Sequence, residues 1–185
     1  MPGIGIGIST FFSNVVVPEY NPNAAAHIAR VETDGGVIDS PALCNDYFVF
    51  KAANSFMTAV IVDAFPHVLG YKEGATSLKC SKLYGSAADG SGDIAQSTAV
   101  SQPLLLRYNG SRYLYSPGIT NNNINTPDAV ANDLSGTDFE LIFKLKIDSV
   151  QNSPYPVFFA KYETSGVVDY LLYVDTGDNK LYLQN

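Results

Sequence analysis

The chain has 185 residues, enough for one good core or two small units joined by a linker. Hydrophobic residues make up 46% and charged residues only 16%, which marks a folded chain and excludes a disordered one. The net charge of −7 excludes a phosphate-backbone binder, because Lys79 and Lys82 alone approach a basic cluster.

The first stretch, Gly3-Ile4-Gly5-Ile6-Gly7-Ile8, alternates an empty position with a β-branched one. When extended, it puts three isoleucines on one face and three glycines on the other. Such a ribbon buries nothing by itself and needs a host surface or sister chains. The apolar run continues through Phe11-Phe12 and Val15-Val16-Val17. The expectation is an anchoring arm over residues 1–24, whose contact residues are Ile4, Ile6, Ile8, Phe11, Phe12, Val15 and Val17; a frayed tail is the plainer alternative. There is no basic start and no small-residue cleavage site, so the N-terminus does not read as a signal peptide. A protein with such a start that acts outside the cell is expected to leave by another way, for instance inside a particle released by lysis. No segment reaches the roughly 18 apolar residues of a membrane span.

Residues 25–85 are expected to form a small helix-containing attachment region. An Ala-rich turn of helix is predicted over 21–29, followed by a turn at Thr33-Asp34-Gly35-Gly36. The best helix begins at Ser40 as N-cap with Pro41 at the first helical position. Leu43, Tyr47, Phe50 and Asn54 share one face of it, and Cys44, Phe48, Ala52 and Phe56 another. A helix apolar on most sides is wholly buried or shared between subunits. Residues 57–65 fit helix or strand equally. Cys44 and Cys80 leave open a disulfide or two buried thiols, and a lone pair of cysteines favours the thiols. No second Cys or His stands at zinc-ligand spacing.

Residues 86–100, rich in Ala, Gly, Ser and Asp, read as a linker. Beyond them strands are predicted over 104–108 and 112–115, joined at Asn109-Gly110, the strongest short hairpin signal. A long Asn-rich loop follows over 118–136. Residues 138–148 show the clearest alternation in the chain: Phe139, Leu141, Phe143, Leu145 and Ile147 point one way and charged residues the other, with Ile142 the single exception. Further strands are predicted over 156–162, 167–175 and 181–183. Residues 101–185 are thus expected to form an antiparallel β-sandwich, and the fold class to be mainly β. Six strands are few for two sheets, so the sandwich is expected to be the first part of a larger domain, with completion of its sheet by another subunit as the alternative.

No catalytic constellation emerges from the residue pattern. Asp138 and Glu140 share a strand face at a spacing that a retaining glycosidase could use, but Lys144 and Lys146 on that face point to a solvated, charge-balanced surface. The glycine series lacks the strand and helix of a dinucleotide loop. Asp89-Gly90-Ser91-Gly92-Asp93 resembles part of a calcium loop without its bidentate Glu. His27 and His67 have no triad spacing, and Asn109-Gly110-Ser111 is a glycosylation sequon in form only. No catalytic, cofactor or metal residue is assigned.

The segments 138–146, 158–162, 170–175 and 180–183 resemble, in their order, the strands of concanavalin A-like lectin or laminin-G domains. The run from Asp89 through Gln102-Pro103-Leu104-Leu105-Leu106-Arg107-Tyr108 to Tyr115-Ser116-Pro117-Gly118 is similar to the entry of such domains in tailed-bacteriophage virion proteins. Arg30-Val31-Glu32-Thr33-Asp34-Gly35-Gly36 and Tyr71-Lys72-Glu73-Gly74 resemble the segments upstream. The resemblance covers about residues 28–185, and its motifs are only moderately specific because the sandwich is a superfold. It implies a structural, non-enzymatic particle component located in the virion: a fibre, tail or capsid-surface protein, often homotrimeric, able to bind a host-surface glycan. Other virion proteins would be its partners through the arm. A free carbohydrate-binding lectin is the alternative, and a sandwich glycosidase a more distant one. No ligand residue carries over.

Overall fold

The computed structural model describes residues 19–59, 63–74, 76, 78–115, 157–162, 168–175 and 180–184. It begins with helix α1, Pro22–Thr33, longer than the single Ala-rich turn predicted. Asn21 caps it, its side-chain oxygen accepting from Asn23 N at 2.9 Å, and Pro22 occupies the first turn, where no N–H is needed. Ala24, His27 and Val31 fall at helical spacing and are the buried stripe. The helix ends in a Schellman motif. Gly36 N donates to Val31 O at 2.8 Å and Gly35 N to Glu32 O at 3.0 Å. Gly35 takes φ +74, the left-handed conformation this motif asks for.

Helix α2, Pro41–Ala53, starts where the sequence placed it: Ser40 Oγ accepts from Leu43 N at 3.2 Å with Pro41 behind it. Only Cys44 and Phe48 of this helix are buried. With Ala24 of α1 and Leu69 they form the first core cluster, sealed by Tyr20, Ile28, Ile38, Tyr47 and Val68. A short 3-10 segment, Ser55–Ala59, follows.

Three short strands make the first sheet: β1, Tyr71–Glu73; β2, Cys80–Leu83; and β3, Ile94–Ala95. They are antiparallel in the order β1-β2-β3. After a 3-10 turn at Ala99–Ser101, strands β4, Leu104–Tyr108, and β5, Ser111–Tyr115, form a hairpin. Its turn residues Asn109 and Gly110 both take positive φ, +47 and +80, as a type I′ turn requires. Backbone bonds from Cys80 N to Pro103 O and from Leu105 N to Leu78 O tie β4 to the start of β2. The second core cluster, Tyr71, Cys80, Leu83 and Leu105, lies there. The cysteines belong to different clusters, and both are free buried thiols.

Strands β6, Val157–Tyr162, β7, Val168–Asp175, and β8, Lys180–Gln184, form a second three-stranded antiparallel sheet in sequence order. The alternating segment 138–148 and the Asn-rich stretch 118–136 lie outside the described residues.

The fold class requires a correction. The described residues do not make a mainly β protein with a lectin-like or laminin-G-like sandwich; they are mixed α/β, two helices followed by small antiparallel sheets of three, two and three strands. The two helices supply three of the four buried residues of the first core cluster, Leu69 being the fourth, and are not a minor preface to a β domain. Strands of two and three residues are too short to show a period-two pattern, so this body left little trace beside the stronger alternation downstream. The stretch expected to be a linker contributes β3 and buries Ser86, Asp93 and Gln96.

Candidate functional site: a charged cleft and an uncovered helix face

Two features stand out. The first is an open cleft of about 830 Å³ between the last turns of α1, strand β2 and the glycine-rich turn before β3. Its floor is a network of charges. Arg30 Nη1 donates to Asp93 Oδ2 at 2.8 Å and Nη2 to Gly85 O at 2.7 Å. Lys82 Nζ lies 3.1 Å from both Asp34 Oδ2 and Asp93 Oδ2, and Lys72 Nζ lies 3.0 Å from Asp34 Oδ1. The fully buried Tyr84 donates its hydroxyl to Asp34 Oδ2 at 2.8 Å. Its ring carries Arg30 at 5.5 Å and Lys82 at 4.9 Å from the centroid, two cation–π contacts on one aromatic.

The Tyr84 hydroxyl and the two lysines hold the Asp34 carboxyl well below the usual range. Burial, then the facing Asp34, pushes the Tyr84 phenol up. His27 stands beneath Arg30. Its Nε2 meets Leu69 O at 2.8 Å, and since a carbonyl only accepts, Nε2 carries the proton. Nδ1 is then free to accept from Arg30 Nη2 at 3.4 Å. Burial lowers the His27 pKa and keeps the ring neutral.

The glycines here have steric roles. A Cβ on Gly85 would meet Gly92 O at 2.4 Å, and one on Gly36 would meet Tyr84 Cε2 at 2.5 Å. The Asp89–Asp93 run that resembles a calcium loop works otherwise: Asp89 Oδ1 caps Ser91 N at 2.9 Å, and Asp93 is neutralised by Arg30 and Lys82. Among the described residues, no group of three or more His, Cys, Asp or Glu is placed to hold a metal ion.

Two further polar clusters act as clamps. Asp63, buried, accepts from Ser86 N at 2.7 Å, from the Ser86 and Tyr47 hydroxyls, and from Lys51 Nζ at 3.2 Å. Lys51 also donates to Ser86 Oγ. The serine is thus held on both sides. Asp39 gathers Arg107 Nη2 at 3.0 Å, Arg112 Nε at 3.2 Å and His67 Nδ1 at 3.6 Å, tying the β4–β5 hairpin to the loop before α2. In all three networks the carboxylates accept from donors on other segments of the chain.

The second feature is apolar. The side of α2 turned away from the core presents Ala42, Leu43, Val49, Phe50 and Ala53 to solvent, with Val49 and Phe50 each 50% exposed. Phe56, 63% exposed, extends the patch by packing edge-on against Phe50 at 6.3 Å. In the middle lies Asp46, exposed, with no hydrogen bond or ion pair among the described residues. Sequence reading had already shown the helix to be apolar on most sides; which side stays uncovered needed the packing.

The sequence-assigned contact residues Ile4, Ile6, Ile8, Phe11, Phe12, Val15 and Val17 lie outside the described residues, as do Asp138 and Glu140. The chain enters the described body beside α2, where Asn21 N donates to Asn45 Oδ1 at 2.7 Å and Tyr20 packs on the first core cluster. No described helix is long and apolar enough to cross a membrane. Comparison of the chain with known protein families, with curated proteins and with solved structures gives no match.

Proposed function

We propose that this protein is a structural, non-enzymatic component of a bacteriophage particle, attached through its N-terminal region and acting by contact. The observation that carries this reading is the outward face of α2. Large contiguous apolar side chains on a surface mark an interaction site far more often than a free one. At the start of the described body, Tyr20 packs on the first core cluster and Asn21 bonds Asn45 of the same helix. The two upstream segments that resemble virion proteins also meet in space: Asp34 pairs with Lys72 at 3.0 Å, and Val37, just after the first segment, bridges to Tyr71. They form one packed unit. A lectin-like sandwich plays no part in this proposal.

Peptide mass spectrometry of gradient-purified particles tests it. Peptides of this chain are expected in the particle band beside the major capsid protein. Their presence in the lysate together with their absence from the band would overturn the reading.

A further inference from the structure

The geometry points to the outer face of α2 as the docking site for one short, amphipathic segment of another protein, apolar with a single basic side chain at its centre. This rests on the contact function proposed above and names the partner's chemistry.

The argument starts from Asp46. Its neighbours at three and four positions either way are Ala42, Leu43, Val49 and Phe50, all exposed, so one carboxylate stands inside an apolar ring. The nearest cation on the helix, Lys51, is turned to Asp63 and Ser86 and does not answer it. A partner that covered this face without a positive group would strip water from Asp46 and leave it unpaired, which opposes docking. A partner with Lys or Arg at that point gains both the apolar contact and the pair.

Size and charge select among the occupants. A helix of 13 residues is about 20 Å long. Its exposed strip therefore matches in length a single helix or strand laid along it. A second copy would bring another Asp46, or apolar side chains, against the first, on a chain of net charge −7. Residues 1–18 of this chain contain no Lys or Arg, so they cannot supply the complement.

The test uses the full chain and two synthetic fourteen-residue amphipathic peptides with a leucine face, identical except for Lys or Glu at the centre of that face. Fluorescence anisotropy is expected to show the Lys peptide binding about three- to ten-fold tighter. Asp46→Lys is expected to invert the order, and Val49→Ser with Phe50→Ser to weaken both peptides at least ten-fold. Asp46 and Val49 are exposed, so these variants should keep the wild-type melting temperature, which is measured alongside. Equal binding of the two peptides, or an order unchanged by Asp46→Lys, overturns the inference. So does concentration-dependent self-association in sedimentation velocity that Val49→Ser with Phe50→Ser abolishes, since it assigns the face to a second copy. Failure of the peptides with the protein still found in particles removes this inference alone. Absence from particles with the peptide preference intact removes the particle assignment and leaves the docking site.

Discussion

Arg30 and Asp93 stand 63 positions apart in the chain and meet at 2.8 Å, guanidinium to carboxylate, at the base of the cleft. The pair joins α1 to the turn that precedes β3. The Asp93 side chain is only 7% exposed and also accepts from Gly85 N at 2.9 Å. Removing its charge leaves Arg30 half-desolvated and frees the turn. Asp93→Asn is expected to destabilise the fold by about 2–3 kcal/mol in urea unfolding, below the full loss of a deeply buried pair because the Arg30 head keeps some water. A change under about 0.5 kcal/mol would show the contact to be incidental.

Acid should weaken the protein in two steps. Both His27 and Asp34 have folded-state pKa values below their ordinary ones, His27 through burial and Asp34 through Tyr84, Lys72 and Lys82. For each, the unfolded chain binds the proton more readily. The stability each contributes is therefore present above its unfolded pKa and is lost as pH falls. The His27 contribution should fade below about pH 6.5 and that of Asp34 below about pH 4. Asp34→Asn is expected to be less stable at neutral pH and to show a shallower loss below pH 4. Melting temperatures measured across pH 2–8 decide it, and an unchanged acid slope would count against the assignment.

Phe48 and Phe50 test the two sides of α2 with the same chemistry. Phe48 is 7% exposed in the first core cluster, whereas Phe50 is 50% exposed. Phe48→Ala should cost about 3–5 kcal/mol. Phe50→Ala should stay within about 0.5 kcal/mol, apart from its edge contact with Phe56. Comparable losses from the two, read by chemical denaturation, would mean that the outer face is covered in the free protein.

Cys44 and Cys80 are fully buried, and burial pushes each thiol up to about 11. Neither should react with a disulfide reagent at pH 8 in the folded protein, and both should react after unfolding without reductant. A chain that yields no free thiol when denatured would instead carry the disulfide that the sequence left open.

Much of the local structure was written in the sequence. Ser40-Pro41 set the start of α2, Thr33 to Gly36 the turn after α1, and Asn109-Gly110 the hairpin, because each acts through a backbone preference that a few neighbouring residues fix. Helix α1 reaches further than its Ala-rich run suggests: its end is closed by the bond from Asp34 N to Arg30 O and by the Schellman bonds of Gly35 and Gly36, which exist only once the helix is built. Strands β1 and β3 gave no period to read, being three and two residues long.

The sequence by itself determined where helices and turns begin, that α2 is apolar on most sides, and that two lone cysteines fit buried thiols. Tertiary structure alone decided the rest. It made the expected linker part of the core, brought Arg30 to Asp93 and Lys82 to Asp34, and left Asp46 and its apolar ring uncovered. Local preferences act over a handful of residues, whereas an ion pair across 63 positions, or the choice of which helix side meets the core, exists only after the chain has closed on itself.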